Sequence, residues 1–260
     1  MAKRKLIKEE EVKPLLEKGF TYQQIADTLG YKKVSIGFFC RKHFGKLPDK
    51  GKYVRRNIPY SMEQKEIIFG TLLGDGNISK RKTKGIKCQT YFGRINHCEE
   101  QLEYANYIRS FFNSNLVSNV RHYFVKGDKN KLVKTDRWHC SFDFKDNYAL
   151  KEIYEMFYNN EGKKDIPKDL SLLTPRAMAF WFMDDGSCCS KHSICIATMS
   201  FSLEGLLHLQ EYLLSTFNIK TVVRRDFNLY IQTESAPIFY NLVKPYMHES
   251  LMYKLRKIKI

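Results

Sequence analysis

Two apolar segments dominate the chain, IIFGTLLGDG at residues 67–76 and AMAFWFMDDG at residues 177–186. Each predicts a buried helix that ends on a carboxylate, with the following glycine as a left-handed C-terminal cap. The carboxylates, Asp75 and Asp185, then lie at the helix end where the dipole is already negative. A bound cation would offset this repulsion. Because the arrangement occurs twice, it is the strongest functional signal in the sequence.

The charge of the chain indicates the class of its partner. Its 260 residues include 44 Lys and Arg against 28 Asp and Glu, a formal net charge of +16. Such a surplus predicts a polyanionic partner, nucleic acid first, and the alternative is a generic basic surface that maintains solubility. The longest apolar run, Ala177–Met183, is too short to span a bilayer, and no signal peptide or lipidation motif is visible. We therefore expect an intracellular protein without a membrane partner, in the cytoplasm or alternatively in an organellar matrix.

The seven cysteines have no framework spacing, which predicts reduced intracellular thiols. Cys188, Cys189, His192 and Cys195 could form a zinc site. They lack the separated ligand pairs of a zinc finger, so packing cysteines are the favoured interpretation.

The N-terminal residues, 1–45, predict a small helical domain. Thr21 can cap a helix over Tyr22–Leu29, Gly30 can make a tight turn, and a basic helix follows over Lys32–Phe44. This pattern resembles the helix-turn-helix family, which implies DNA contact through the second helix. The alternative is a helical bundle that binds only a protein or has no partner. The candidate DNA-binding residues here are Lys32, Lys33, Ser35, Arg41 and Lys42.

Residues 46–60 have the composition of a linker, and Arg55 and Arg56 within them are candidates for phosphate contacts. The rest of the chain shows one order of patterns twice, in a first repeat over residues 61–168 and a second over 169–260. The residues from Asp75 to Gly85 are predicted to be turn-like, before an extended stretch around Cys88–Phe92. The order helix, two strands, helix, two strands, helix predicts a duplicated α+β unit.

The two motifs, Gly70–Gly76 and Phe180–Gly186, resemble those of the single-chain LAGLIDADG homing endonucleases. The likeness covers about residues 61–256 and includes four flanking segments. It implies an α+β fold, a duplicated αββαββα saddle with two central motif helices packed side by side, preceded here by the all-α N-terminal domain. The flanking segments that share the likeness are Lys164–Pro167 with Leu173–Pro175, Phe239–Tyr246 and Met252–Leu255.

Small residues would let the two motif helices approach closely, and Gly70 and Gly74 suit that role. The second helix has Phe180 and Asp184 at the corresponding positions, which predicts an asymmetric interface between the helices.

The resemblance also implies the chemistry of the site. Asp75 and Asp185 are its metal-binding carboxylates, with Gly74 and Asp184 beside them in the metal site. Oxygen-rich coordination suits Mg²⁺, for which Mn²⁺ can substitute. The implied reaction is hydrolysis of one phosphodiester bond in each DNA strand. For Asp184 three roles stay open: a carboxylate behind the metal ligands, a helix cap, or a charge that shifts the pKa of Asp185.

Lys164 and Lys254 match the basic residues that flank the family's site, where a cation stabilises pentavalent charge or orients water. The alternative is that both are ordinary surface lysines.

Polar and basic side chains along the predicted strands are candidates for reading base edges or contacting phosphates. In the first repeat they are Asn77, Lys80, Arg81, Lys82, Lys84, Lys87, Gln89, Arg94, Arg121, His122, Lys126 and Arg137. In the second repeat they are Lys191, His192, Arg224, Arg225, Asn228, Tyr230 and Gln232.

The resemblance implies a monomeric, metal-dependent endonuclease that cuts double-stranded DNA at a long asymmetric target. One alternative is a maturase on the same scaffold, which would bind intron RNA and assist splicing. Another is a helix-turn-helix regulator with an inactive nuclease scaffold. The presence of both Asp75 and Asp185 favours the endonuclease, since a pure binder has no physical use for two buried anions.

Overall fold

The structure is a computed structural model that describes residues 7–17, 20, 22–44, 57–82, 89–127, 135–190 and 193–256. The chain divides into two compact units, Met1–Arg55 and Arg56–Ile260. Each unit has a hydrophobic core of its own. None of the helices in the described ranges is both long and apolar enough to cross a membrane.

The first unit contains α1 (Glu9–Glu17), α2 (Tyr22–Leu29) and α3 (Lys33–His43). Gly30, between α2 and α3, has a φ of 72°, in the left-handed region that glycine adopts at little cost. The predicted tight turn is therefore confirmed, whereas the predicted cap Thr21 lies outside the described residues. The helices enclose a small core of Val12, Ile25, Ala26, Ile36 and Cys40.

The second unit repeats the order αββαββα, as the sequence predicts. The first repeat contains α4 (Met62–Leu73), β1 (Asn77–Lys82), β2 (Gln89–Cys98), α5 (Leu102–Ser110), β3 (Arg121–Val125), β4 (Arg137–Phe144) and α6 (Leu150–Phe157). The second repeat contains α7 (Pro175–Asp185), β5 (Gly186–Ser190), β6 (Ser193–Ile196), α8 (Leu203–Phe217), β7 (Thr221–Val223), β8 (Leu229–Ile231) and α9 (Ala236–Val243). Each repeat forms one antiparallel four-stranded sheet, in the orders β1-β2-β4-β3 and β5-β6-β8-β7.

Two predicted segments differ from the structure. The segment predicted to be turn-like, Asp75–Gly85, contains strand β1, because Asn77–Lys82 pairs along its whole length with β2. Backbone pairing here overrides the weak strand propensity of lysine. The end of the predicted linker also packs into the second unit: Tyr60 is buried, and the Asn147 side chain donates a 2.8 Å hydrogen bond to the carbonyl of Ile58.

The motif helices α4 and α7 pack against each other at the centre of the second unit. A Cβ at Gly70 would collide with the carbonyl oxygen of Ala177, and one at Gly74 would lie 2.5 Å from the Cβ of Asp184. Glycine in α4 therefore makes room for larger residues of α7. The predicted asymmetric interface is confirmed.

The predicted left-handed glycine caps are wrong. Gly186, which follows α7, has φ −82° and ψ 149°, and Gly76 is not among the described glycines with positive φ. The chain passes directly from α7 into β5, whereas α4 ends at Leu73, two residues before Asp75, and a turn leads from it into β1. Glycine is needed for space instead, because a Cβ at Gly76 would lie 2.8 Å from the carbonyl oxygen of Thr71, and one at Gly186 would collide with the Phe182 ring.

Candidate active site

Lys164 lies at the C-terminal end of the first motif helix. Its Nζ donates hydrogen bonds to the carbonyl oxygens of Leu72 at 2.8 Å, Gly74 at 3.1 Å and Gly76 at 3.2 Å. These carbonyls carry the negative end of the α4 dipole, so the ammonium group stabilises the turn that presents Asp75. Gly74, predicted to belong to the metal site, is thus a partner of this lysine.

Lys254 has the same position relative to the second motif helix. Its Nζ donates to the carbonyl oxygens of Met183 at 2.6 Å and Asp184 at 3.1 Å. Burial lowers the pKa of both lysines, while the nearby carboxylates, Asp185 among them, favour the charged form. Two half-buried cations therefore flank the motif carboxylates. This arrangement differs from that of ordinary surface lysines.

The two motif aspartates have different environments. The Asp75 side chain is 43% exposed. Asp185 is half-buried, and burial, together with the charge of Asp75, raises its pKa to about 7, against the opposing charges of Lys164 and Lys254. The two carboxylates are thus close enough to repel each other, which is the situation that a bound cation relieves.

Asp184 is a buried carboxylate that joins the two repeats. The Tyr104 hydroxyl donates a 2.8 Å hydrogen bond to Asp184 Oδ1, and the main-chain N–H of Asp75 donates a 3.3 Å hydrogen bond to Asp184 Oδ2. Burial raises the pKa of Asp184 to about 7, and the nearby His97 opposes the shift. Asp184 therefore holds the backbone of Asp75 from the opposite repeat.

His97 on β2 completes this cluster. Its side chain is fully buried, and Nδ1 lies 3.3 Å from Asp75 Oδ2. Burial acts to lower the pKa of His97, but the contact with Asp75 and the charge of Asp184 outweigh it, so the pKa is raised. One ligand atom each from Asp75, His97 and Asp184 lies within 4.8 Å of the other two, a spacing that could hold a metal ion.

The residues present fit a divalent cation. Carboxylate oxygens are the ligands that hard divalent ions prefer, and an imidazole suits transition metals. His97 and Tyr104 were not predicted from the sequence, because neither belongs to a motif and each reaches the site only through folding.

Several predicted DNA-binding residues lie on the face of the first sheet away from the helices. Arg94 donates to Asp143 at 2.7 Å and Arg121 donates to the same carboxylate at 2.5 Å. Asn77 is paired with Arg94, so their side chains lie on the same face. Arg137 is paired with Val125, which is on the same side of β3 as Arg121. In the second sheet the guanidinium of Arg224 lies 3.8 Å from the centre of the Tyr230 ring.

Other candidates lie elsewhere. Lys80 points to the helical side, 5.9 Å from the ring of Tyr154, and His122 lies 3.5 Å from Glu99. Asn228 accepts from the main-chain N–H of Thr198 and is half-buried, as is Gln232. The remaining described candidates are also exposed; they are Lys32, Lys33, Ser35, Arg41, Lys42, Lys126 and Arg225. Arg55, Arg56, Lys84, Lys87, Lys191 and His192 lie outside the described residues, as do the side chains of Arg81, Lys82 and Gln89.

Comparison with known proteins identifies the family. The model of the LAGLIDADG DNA endonuclease family matches residues 65–239, which include both motifs and both sheets. The chain belongs to the LAGLIDADG DNA endonuclease family. The predicted α+β fold, a duplicated αββαββα saddle with two central motif helices, is thereby confirmed.

Individual relatives of this LAGLIDADG protein include endonucleases and a maturase. It is 31% identical to the cytochrome b mRNA maturase bI2 of Debaryomyces hansenii over 76% of each chain. It is 35% identical to the intron-encoded endonuclease ai4 of Dictyostelium discoideum, over 57% of this chain and 98% of that protein. The solved structure of the homing endonuclease I-WcaI bound to its DNA recognition sequence has 25% identity and a TM-score of 0.65, over 83% of this chain and 96% of that one. Some other curated relatives are longer, and the match spans about half their length.

The position of the lysines leads to a prediction for this LAGLIDADG site. Lys164→Met and Lys254→Met each remove a cation while keeping most of the apolar stem, and we expect each to lower the single-turnover rate of DNA cleavage about a hundredfold. DNA affinity should change far less, because other residues supply the phosphate contacts. Single-turnover kinetics, filter binding and melting temperature are measured on each variant, with the exposed Lys168→Met as control. Equal losses of rate and affinity would instead identify the two lysines as phosphate anchors.

Proposed function

We propose that this chain is a site-specific endonuclease that hydrolyses both strands of a DNA duplex with Mg²⁺, or Mn²⁺ in its place, held by Asp75 and Asp185. The observation that carries the proposal is the pair of motif carboxylates, Asp185 at the end of α7 and Asp75 in the turn after α4. Beside each is a lysine that donates to carbonyl oxygens at that helix end. The family match and the endonuclease relatives support the same activity.

Each residue of the site has a part in the proposed reaction. A divalent ion held by these residues would polarise the scissile phosphates and help generate hydroxide from water. Asp75 and Asp185 supply the negative charge that binds the cation. Lys164 and Lys254 hold the ends of the motif helices and place positive charge beside the reacting phosphates. Asp184 fixes the main chain of Asp75.

The proposed substrate follows from the charge and from the exposed sheet faces. A net charge of +16 favours duplex DNA through release of counterions. Arg94 and Arg121 are held by a common partner, Asp143, so their guanidinium groups are ordered before DNA binds. Both repeats lie in one chain, so a monomer supplies a carboxylate for each strand. A DNA substrate places the activity inside the cell, in the cytoplasm or an organellar matrix.

The direct test is incubation of the protein with the DNA that flanks its own gene, with and without Mg²⁺. We expect a unique double-strand break that requires the metal. Absence of a break in that DNA and in a library of randomised targets, with DNA binding intact, would contradict the endonuclease proposal.

A second candidate function is RNA maturation. The observation that favours it is the 31% identity to a cytochrome b mRNA maturase. Splicing of the host intron should then survive Asp75→Asn together with Asp185→Asn, because RNA binding does not use the metal carboxylates. An intron that splices equally well without the protein would exclude this candidate.

The N-terminal unit is proposed to extend the DNA contact. The side chains of Lys33, Arg41 and Lys42 are exposed on α3. A chain that begins at Arg56, where the second unit starts, should cut at the same place but bind more weakly, with a shallower dependence of affinity on salt, because phosphate contacts are lost. Footprinting and salt titration of both chains test this. Identical footprints and slopes would show that the unit has no DNA contact.

A further inference from the structure

Asp184, on α7 of the second repeat, lies in a buried polar cluster that is completed by His97 and Tyr104 of the first repeat. Equivalent isoleucines occupy the second strand of each repeat. Ile95 of β2 is paired with Phe142 of β4, and Ile196 of β6 is paired with Leu229 of β8. The next helix begins at the same distance along the chain, at Leu102 and Leu203. This register allows the two repeats to be compared residue by residue.

In this comparison His97 corresponds to Thr198, and Tyr104 corresponds to Gly205. Thr198 is fully buried, and its hydroxyl donates a 2.6 Å hydrogen bond to the carbonyl of Phe227. The two motifs also differ: the residue before the motif aspartate is Gly74 in the first motif and Asp184 in the second. The aspartates at the two helix ends therefore have different neighbours.

The buried imidazole of His97 is the second observation. Neither of its ring nitrogens makes a hydrogen bond with the described residues, although Nδ1 approaches Asp75 Oδ2 to 3.3 Å. A fully buried polar group without hydrogen bonds is costly unless a ligand uses it. The ring lies beside two carboxylates, so a cation is the ligand that this surrounding favours.

We propose that His97 is a nitrogen ligand of a metal subsite formed with Asp75 and Asp184, on the Asp75 side of the site only, which prefers a divalent transition metal to Mg²⁺. The three ligand atoms lie within 4.8 Å of one another, so small side-chain shifts bring all three to a common ion. The Tyr104 hydroxyl orients the Asp184 carboxylate, as groups behind metal ligands commonly do. Mg²⁺ binds oxygen ligands and retains water, whereas Mn²⁺, Co²⁺ and Zn²⁺ accept imidazole.

This proposal shares Asp75 with the proposed function but does not depend on cleavage. The test therefore uses the metal-stripped full chain without DNA, titrated with Co²⁺ and followed by visible absorption. We expect a single Co²⁺ site with ligand-field bands. Its affinity for Co²⁺ should be at least about tenfold tighter than its affinity for Mg²⁺, which is measured by calorimetry. His97→Asn should weaken Co²⁺ binding at least about tenfold and change Mg²⁺ binding much less.

His139→Asn is the matched control. His139 lies on β4 of the same sheet, and its ring nitrogens also lack hydrogen bonds with the described residues, but it is outside the carboxylate cluster. Its replacement should leave the Co²⁺ titration unchanged. Equal Co²⁺ affinity in the wild type and His97→Asn, or tighter binding in the variant, would overturn the proposal and indicate that His97 only neutralises the carboxylates.

A measurement on the wild type covers the case in which His97→Asn does not fold. The chain contains seven histidines, which can be labelled with ¹⁵N in the imidazole ring. One equivalent of Zn²⁺ should shift the nitrogen signals of a single histidine and leave the other six unchanged. Absence of any shift, or equal shifts of several histidines, would contradict a site at His97. Failure of DNA cleavage with Mg²⁺ would contradict the proposed function and leave this titration unaffected.

Discussion

Asp75→Asn and Asp185→Asn are each expected to abolish double-strand cleavage, a loss of about a thousandfold or more in single-turnover rate. Asparagine keeps the shape of the side chain but removes the charge that binds the cation. Asp185 lies near Asp75, Lys164 and Lys254, so its loss also leaves two half-buried ammonium groups with less compensating charge. DNA binding should persist in both variants, because phosphate contacts over the sheets dominate affinity.

Cleavage and binding are measured on one labelled duplex with Mg²⁺ and then with Ca²⁺, so that affinity is read without turnover. Asp169→Asn is the control, because this carboxylate is exposed and accepts a local hydrogen bond from the main-chain N–H of Ser171. The control should cut at the wild-type rate. Full cleavage by either motif variant would overturn the assignment of Asp75 and Asp185 as metal carboxylates.

Much of this site could be predicted because its essential residues are local in sequence. An apolar run followed by Asp-Gly specifies a buried helix and the position of its carboxylate, and two copies specify a pair. The matching αββαββα order arises because each stretch has its own hydrophobic period. In the N-terminal unit, Tyr22–Leu29 is likewise predicted as a helix and forms α2 with the same bounds.

The parts that could not be predicted depend on tertiary packing. The roles of His97, Tyr104 and Asp184 arise from contacts between residues distant in sequence. His97 and Asp75 are 22 positions apart, and Tyr104 and Asp184 are 80 positions apart. Charge alone does not show which side of a strand a residue occupies. The sequence therefore groups Lys80 with Arg94, although the two lie on opposite sides of the first sheet. The prediction of left-handed glycine caps is wrong for a related reason. Gly76 and Gly186 are needed because a Cβ there would lie too close to the Thr71 carbonyl oxygen and to the Phe182 ring.

Gly70→Ala should lower the free energy of unfolding of the second unit by about 2 kcal/mol, since overpacking costs about 1–3 kcal/mol. The added methyl group would collide with the carbonyl oxygen of Ala177, a main-chain atom that cannot rotate away. The gain in helix propensity from alanine, about 1 kcal/mol, is too small to compensate for movement of the whole interface. The central helices should therefore separate or slide.

The same substitution should lower cleavage, because Asp75 and Asp185 are placed by the two helices that move, and a displacement of about 1 Å can cost a hundredfold in rate. Calorimetric unfolding and single-turnover cleavage measure the two effects. Gly37→Ala is the control: it is also a helix glycine, but the nearest side-chain atom, in Tyr22, would be 3.5 Å from the new Cβ. The control should retain stability and cleavage. If Gly70→Ala does the same, close approach of the motif helices at Gly70 is not what sets the spacing of the two carboxylates.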